Sequence, residues 1–509
     1  MLARTRRRPI TIPVLQNVRV SRRVLRGCIL LSRPVRAAAI AGVLAGVCEL
    51  VPGLVQLRVL SPRPANVEVE IGPAAPPKAV IGETLLTEDT LEQQDDRPSE
   101  PALTPAVGRG PIATAPEREP LPVIEVEAPP TELVDPTGEL HAFYAALART
   151  ARGADSAITR ILYHGDSLVA SDFVTSTLRR KFQTQFGDAG HGFVLMANAW
   201  SSYTHADVFR FSTRGWSVSR IVGPYLKDGF YGLGGVSFKG PPGIRAQFGT
   251  ARDGPYGRRV ATFEVAYLKQ PGGGDFRINV DGEYRALIST DAPEKASGFY
   301  HVEVEDGEHT LELVTQRAEV RAFGVALERS GPGVILDAIG IQGARIRFLD
   351  KQDDAHWATQ LAWRKPNLLV FQFGANESGD GFAYSMPDYH LTMKEVILQA
   401  KRATPGASCL ILSAMDRARN TEWGLITVPI IPHIVEQQRK TALDVGCAFW
   451  NTYEAMGGKG SMARWVRRGL GQADLTHPTS IGADIVGNWI YQALIRDYQK
   501  YLDETAAQL

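Results

Sequence analysis

The aromatic residues of this chain are confined to one part of it. All 42 Phe, Tyr and Trp residues lie at or after Phe143, whereas 19 of the 32 prolines lie at or before Pro136. Because aromatic side chains bury the largest areas in protein cores, 142 residues without one are not expected to form a folded domain. The sequence therefore predicts that folding begins near residue 135, which leaves about 370 residues, enough for two domains.

Residues 1–60 have the layout of an export signal or an uncleaved membrane anchor. Ten arginines and no acidic residue fall within the first 36 positions, and an interrupted apolar stretch follows from Ala37 to Leu60. Its uninterrupted part is shorter than the roughly 20 residues that a spanning helix needs, so a cleaved signal, a retained anchor and a basic tail all stay open. We expect a signal or anchor, which would place the protein in the periplasm or cell envelope with this segment as its membrane tether.

The net charge excludes one class of partner, and the proline content predicts a linker. The formal net charge of the whole chain is only +1, whereas a nucleic-acid-binding protein is expected to carry a strong basic excess. Nucleic acid is therefore not an expected partner. Residues 61–136 hold 15 prolines and no aromatic residue, a composition that predicts a disordered linker over 61–135.

Apolar strands alternate with amphipathic helices in two separate parts of the remaining chain. This alternation predicts an α/β fold in which helices cover both faces of a parallel sheet. The predicted strands are Ile158–Tyr163, Asn367–Phe373, Cys409–Ala414 and Cys447–Trp450, and the predicted helices are Thr137–Ala151, Phe173–Phe186, Tyr389–Arg402, Ile431–Leu443 and Ile481–Tyr501. Cys409 and Cys447 fall on strands expected to be buried, which favours buried thiols and leaves a disulfide possible.

Between these two parts the hydrophobic period changes to two, with glycine-rich turns between short runs. These runs are Ala261–Leu268, Phe276–Val280, His301–Glu305, Thr310–Thr315 and Glu319–Leu327. This pattern predicts an antiparallel β-sandwich over residues 207–332, inserted into an α/β domain made of 136–206 and 333–509. Most aromatic residues of the insert are expected to lie in its core, although Trp216, Tyr225, Tyr231 and Phe238 could instead line a groove.

Two motifs carry the groups for nucleophilic catalysis. Gly165-Asp166-Ser167 follows a predicted buried strand and precedes a helix, which places the Ser167 hydroxyl at the carboxyl edge of the sheet. Asp474 and His477 have a spacing that lets the carboxylate orient the imidazole as a base for the serine. Asp353 and His356 have the same spacing but lie in a charged segment, so we interpret them as solvated surface.

Two further positions could stabilise a negatively charged oxygen. A predicted strand runs out into Gly374-Ala375-Asn376, where the Asn376 amide could donate to a developing oxyanion or simply close a turn. Gly343 follows the strand-like run Val334–Ile339, where a glycine lets a backbone N–H point into the site.

In their order along the chain, these residues resemble the SGNH (GDSL-type) hydrolase superfamily. Ser167 lies in its first block, Gly343 in its second, Asn376 in its third, and Asp474 with His477 in its fifth. The runs from Gly165 to Asp172 and from Phe186 to Phe193 are similar to those of bacterial peptidoglycan O-acetylesterases of the Ape1 type, which also carry an inserted β-sandwich resembling a carbohydrate-binding module. One departure is Glu377, since the common pattern has Asp after the asparagine.

The resemblance implies a serine esterase that removes O-acetyl groups from a cell-envelope carbohydrate, with peptidoglycan expected. It implies a catalytic triad of Ser167, Asp474 and His477, an oxyanion hole of Ser167, Gly343 and Asn376, an acetyl-enzyme intermediate, and a site without metal or cofactor. Two alternatives stay open: an O-acetyltransferase using the same triad, and a glycan-binding envelope protein whose hydrolase site is vestigial.

Overall fold

The computed structural model describes residues 121–507. The predicted leader and most of the predicted linker lie outside these residues. Within them, no helix is both long and apolar enough to cross a membrane. The described end of the predicted linker lies against the folded part: Val134 and Phe449 exchange two backbone hydrogen bonds of 2.9 Å, and the Trp450 indole donates to the Thr131 carbonyl. Ordered contacts therefore begin earlier than residue 135.

A five-stranded parallel sheet forms the centre of the α/β part. Its strands are β1 (Ile158–Gly165), β13 (Gly333–Gly340), β14 (Leu368–Gln372), β15 (Ser408–Leu412) and β18 (Ala448–Trp450), in the order β13-β1-β14-β15-β18. Each strand is a short run of mostly buried residues, as expected for a sheet covered on both faces. A separate antiparallel pair consists of β16 (Ala418–Thr421) and β17 (Gly424–Thr427). The prediction of a mixed α/β fold around a parallel sheet is confirmed.

Helices cover both faces of this sheet because its side chains alternate between two hydrophobic clusters. On β14, Leu368 and Val370 join one cluster, whereas Leu369 and Phe371 join the other. The first cluster contains α1 (His141–Ala151), α3 (Phe173–Phe186) and α9 (Ser480–Ala507), and the second contains α4 (Asp354–Arg364), α5 (Met386–Ala403) and α6 (Ile431–Val445). Three short helices complete this part: α2 (Ser167–Ala170), α7 (Thr452–Ala455) and α8 (Ser461–Arg467).

The chain between β1 and β13 builds two antiparallel sheets. Their strands are β2 (Gly192–Leu195), β3 (Val208–Ser212), β4 (Ser217–Arg220), β5 (Val236–Gly240), β6 (Arg245–Thr250), β7 (Val260–Lys269), β8 (Asp275–Val280), β9 (Glu283–Ser289), β10 (Ala296–Gly307), β11 (Thr310–Thr315) and β12 (Val320–Glu328). One sheet has the order β10-β7-β12-β5-β4 with β2 added to β12, and the other has the order β3-β6-β11-β8-β9. The sheets face each other across a shared core, where the rings of Tyr267 and Phe276 meet edge to face at 5.1 Å.

These antiparallel sheets are not separated from the parallel sheet by a linker. Strand β2 lies before the expected boundary at residue 207, yet it pairs with β12. The inner residues of both antiparallel sheets also belong to the same hydrophobic cluster as Leu369 and Phe371 of β14. The insert and one face of the α/β part therefore share a continuous core, and Tyr231 and Phe238 lie within it, whereas Tyr225 is exposed and Trp216 is partly buried.

A buried ion network lies where the two kinds of sheet meet. Arg364 at the end of α4 donates to Asp337 of β13 at 2.9 and 3.0 Å and contacts Glu328 of β12 at 2.6 Å. Arg160 of β1 holds the same Glu328 through two hydrogen bonds of 2.6 and 2.7 Å. Burial alone would raise the pKa of Glu328, but the two guanidinium groups outweigh it and lower that pKa to about 2.

The structure decides one alternative that the sequence left open, at the buried cysteines, and shows that one interpretation, at His356, is wrong. Cys409 and Cys447 form a disulfide, because β15 and β18 are neighbours whose register places the two residues side by side with Cα atoms 4.7 Å apart. His356 is buried rather than solvated: Asp353 caps α4 by accepting from the His356 backbone N–H, and the His356 ring packs against Phe230 and Phe323. Neither register nor tertiary burial could be read from spacing.

The ion network predicts a large loss of stability in Arg364→Met. This change leaves Asp337 and Glu328 with less compensation for their buried charge, so we expect the free energy of unfolding to fall by about 3–5 kcal/mol in urea titrations. Arg317→Met is the matched control, since the Arg317–Asp275 pair is largely exposed at the arginine and should contribute less than about 1 kcal/mol. Equal losses in the two variants would contradict this role of the network.

Candidate active site

Ser167 lies where β1 ends and the short helix α2 begins. The turn is tight: a Cβ on Gly165 would lie 2.4 Å from the Val169 side chain and 2.9 Å from the Gln372 carbonyl, so a larger residue does not fit. Asp166 caps α2 by accepting a hydrogen bond of 3.1 Å from the Leu168 N–H. This turn presents the Ser167 hydroxyl at the carboxyl edge of the parallel sheet.

The loop that precedes α9 brings His477 to that hydroxyl. The distance from Ser167 Oγ to His477 Nε2 is 2.7 Å, and the distance from His477 Nδ1 to Asp474 Oδ2 is 2.6 Å. The other oxygen of Asp474 accepts the backbone N–H groups of Thr476 and His477, each at 3.0 Å. The structure therefore brings Ser167 together with His477, which lies 310 positions later in the sequence, and with its neighbour Asp474.

The local electrostatics favour an ionised Asp474. Partial burial would raise the pKa of this carboxyl, but hydrogen bonds from the His477 backbone, the His477 ring and the Thr476 backbone lower it overall. An ionised Asp474 accepts the Nδ1 proton, which leaves Nε2 of His477 free to accept the proton of Ser167. Asp166 differs, because burial raises the pKa of its carboxyl to about 6.

Gly343 and Asn376 lie on two loops at the same edge of the sheet. Asn376 donates one amide hydrogen to the Ala344 carbonyl at 2.9 Å, which orients the amide and leaves its second hydrogen available. Gly343 is exposed, has a φ of +80°, and has no hydrogen bond to its backbone N–H within residues 121–507. The backbone N–H of Gly343 and the second amide hydrogen of Asn376 are thus available as hydrogen-bond donors.

Sequence reasoning missed two residues that tie these loops together. Glu377 is fully buried, and its carboxylate accepts the backbone N–H groups of Ile346 and Gly374.

Arg417 donates to the Ala375 carbonyl, to Ser378 Oγ and to Thr476 Oγ1, so it links the asparagine loop to the loop of His477. The only signal for Glu377 was its departure from the common Asp, and Arg417 gave none.

A cavity of about 340 Å³ opens beside Ser167 and His477. Its walls combine aromatic rings with amide and hydroxyl side chains, from Phe173, Trp200, Ser202, Thr204, Gln342 and Gln472. A second recess of about 20 Å³ lies on another side of the same two residues, lined by Leu168, Phe373, Ala375, Met415 and Pro478 among others. Within the described part of the chain, no group of three or more His, Cys, Asp and Glu residues is arranged to hold a metal ion.

The structure is similar to solved structures of esterases. A peptidoglycan O-acetylesterase matches with a TM-score of 0.61 and 22% sequence identity over 72% of this chain and 99% of its own. The chain has an SGNH hydrolase-like fold. A family two carbohydrate esterase from Clostridium thermocellum matches over 57% of this chain and 100% of its own, with 12% identity and a TM-score of 0.25. No family model and no curated protein matches the sequence.

The burial of His164 in β1, the strand that ends just before Ser167, predicts how the free energy of unfolding depends on pH. Its ring lies fully buried between Phe371, at 5.5 Å, and Trp357, at 6.2 Å, and burial lowers its pKa to about 3. The folded protein keeps this ring neutral, whereas the unfolded chain protonates it near pH 6.5, so stability is lost as the pH falls below 6.5. We expect a loss of about 2 kcal/mol between pH 8 and pH 5 from this group.

His164→Phe is the variant that tests this dependence. Its free energy of unfolding should fall less than that of the parent between pH 8 and pH 5, by about 2 kcal/mol, in urea titrations at each pH. The control is His433→Phe, because this position is exposed and the change should leave the difference unaltered. An acid response equal to that of the parent would show that His164 is not the group concerned.

Proposed function

We propose that this protein is a carboxylic ester hydrolase that removes O-acetyl groups from a cell-envelope carbohydrate, with peptidoglycan as the substrate. The observation that carries the proposal is the continuous set of hydrogen bonds from Ser167 through His477 to Asp474 beside the 340 Å³ cavity. The SGNH hydrolase-like fold and the similarity to a peptidoglycan O-acetylesterase support it.

The proposed reaction has two steps. In the first, His477 takes the proton of Ser167 while Oγ attacks the acetyl carbonyl, and the C–O bond to the sugar then breaks as His477 protonates the departing alkoxide. In the second, His477 takes a proton from water as the water oxygen attacks the acetyl carbonyl; the C–O bond to Ser167 Oγ then breaks, and His477 returns the proton to Oγ, which releases acetic acid and regenerates the free serine. Asp474 stabilises the imidazolium that forms in each step.

The oxygen of the tetrahedral intermediate needs donors that are already in place. Ser167 N–H begins helix α2, and Gly343 N–H and the second Asn376 amide hydrogen have no partner within the described residues. Preorganised donors of this kind act on charge that develops in the transition state, and each is worth about 10²–10³ in kcat. We assign these three groups to the oxyanion hole.

The two recesses beside Ser167 fit the two parts of an acetylated sugar. The cavity with Trp200, Phe173 and the two glutamines offers ring faces and hydrogen-bonding groups suited to a glycan. The recess of about 20 Å³, whose lining includes Asp166, Gln372 and Thr476 beside apolar side chains, holds little more than one water-sized group, which matches the acetyl methyl. This size difference supports an acetyl ester over esters of longer acids.

The disulfide supports an envelope location. Disulfides such as Cys409–Cys447 persist in oxidising compartments such as the periplasm and are rare in the cytosol. Export would depend on the arginine-rich segment at residues 1–60, which lies outside the described residues. We therefore propose that the enzyme acts in the periplasm or cell envelope.

The proposal predicts that Ser167→Ala abolishes hydrolysis. The purified chain should release acetate from O-acetylated peptidoglycan and hydrolyse p-nitrophenyl acetate, and the variant should lower kcat by about 10⁴-fold or more. Ser171→Ala is the matched control: Ser171 lines the same cavity, but its hydroxyl bonds to the Leu168 carbonyl, so kcat should change by less than about threefold. Retained activity in Ser167→Ala, with its melting temperature unchanged, would exclude the proposed mechanism. Acetate release from O-acetylated xylan but not from peptidoglycan would exclude the proposed substrate.

The small recess predicts a short-acyl preference that depends on Met415. We expect the parent to prefer p-nitrophenyl acetate over the hexanoate by at least about tenfold in kcat/KM, because added methylenes have no space. Met415→Ala enlarges the recess and should reduce this preference at least about fivefold. Phe173→Ala, which changes the other cavity, is the control and should leave the preference unaltered. An unchanged preference in a folded Met415→Ala would show that the acyl group lies elsewhere.

A further inference from the structure

One buried carboxylate joins the loops that carry Gly343 and Asn376. Oxygen Oε1 of Glu377 accepts the Ile346 N–H at 2.9 Å, and Oε2 accepts the Gly374 N–H at 3.0 Å. Ile346 follows Gly343 by three residues, and Gly374 precedes Asn376 by two. The two oxygens of one side chain thus hold the backbones of both loops at a fixed separation.

Other side-chain contacts connect the same loops, and they differ from the Glu377 bridge. The Asn376 amide contacts the Ala344 carbonyl, which orients one side chain. Arg345 pairs with Asp380 at the surface, where both side chains remain partly exposed. Surface ion pairs contribute little, whereas hydrogen bonds from backbone N–H groups to a buried carboxylate are strong. The geometry of the two loops therefore depends most on Glu377.

Burying the Glu377 carboxyl costs desolvation free energy, which lowers the stability of the fold. The side chain has no exposed surface, and the pKa of its carboxyl is raised to about 7, because burial and the nearby Asp166, which raise it, outweigh the Ile346 N–H and Arg345, which lower it. An apolar side chain of similar volume would avoid this desolvation cost but could not accept either N–H. The cost is explained if both backbone contacts are needed for activity.

We propose that Glu377 is a positioning residue for the oxyanion hole, which sets the separation of the Gly343 N–H and the Asn376 amide without touching the substrate. This inference rests on the proposed function. Oxyanion donors act only when they are aimed at the oxygen, and displacements of about 1 Å can cost about 10²-fold in rate. Because the donors act on the transition state, a loosened pair should lower kcat and leave KM nearly unchanged.

The primary test is Glu377→Gln in hydrolysis of p-nitrophenyl acetate. The amide has nearly the same size, but its NH₂ group would face a backbone N–H, so one of the two loop contacts is lost. We expect kcat to fall about 10- to 100-fold while KM stays within about threefold. Asp380→Asn is the matched control, since it removes the charge of the partly exposed Arg345–Asp380 pair that links the same loops, and its kcat should change by less than about threefold.

A double-mutant cycle separates positioning from a structural role. In the Asn376→Ala background one of the positioned donors is already absent, so Glu377→Gln should lower kcat by less than about fivefold. Equal fold-losses in the two backgrounds would overturn the inference, and so would a kcat within threefold of the parent.

A second variant keeps the test decisive if Glu377→Gln does not fold. Glu377→Asp retains a carboxylate whose shorter side chain cannot span both N–H groups, so we expect a similar loss of kcat in a protein that is less stable than the parent but still folded at the assay temperature. A folded Glu377→Asp with parental kcat would overturn the inference. Ser167→Ala is measured in parallel: its activity tests the proposed function, whereas inactive Ser167→Ala with fully active Glu377 variants would refute only the positioning role.

Discussion

The buried network of Arg160, Glu328, Asp337 and Arg364 is the constraint on which the arrangement of the sheets depends. It joins β1 and β13 of the parallel sheet to β12 of the antiparallel sheets, and Asp337 also accepts the backbone N–H of Phe193 in β2. Charges buried in this way are tolerated only when each has its partners. The network thus fixes the strand that carries Ser167 against the insert, at the end of β1 opposite to the serine.

At the carboxyl end of the parallel sheet, a second set of polar contacts holds the loops that converge on Ser167. Glu377 joins the loops of Gly343 and Asn376, and Arg417 joins the loop of Asn376 to that of His477. Hydrogen bonds made by side chains outside the proposed triad therefore hold the loops of the proposed oxyanion donors, Gly343 and Asn376, and of the proposed base, His477. This arrangement fits a rigid site whose groups are oriented before substrate binds.

Sequence patterns predicted the α/β part well, because its strands and helices are long and periodic. Helix Phe173–Phe186 of this part was predicted with the bounds that the structure has, and so was strand Thr310–Thr315 of the insert. Strands β3 to β6 and β9 were not identified individually, since they are short and lie in glycine-rich or polar sequence. Strand β2 was not predicted; it lies before the expected boundary at residue 207, and its partner β12 lies more than 100 residues away in sequence.

The sequence by itself determined which chemical groups follow which strands: Ser167 after β1, Gly343 after β13 and Asn376 after β14. Parallel strands end at one edge, so these groups were bound to lie near one another. Only the tertiary structure decided the Ser167–His477 hydrogen bond, the Cys409–Cys447 disulfide, the burial of His356 and the bridge made by Glu377. Local periodicity fixes how a segment folds, whereas register and side-chain contact depend on the packing of segments far apart in sequence.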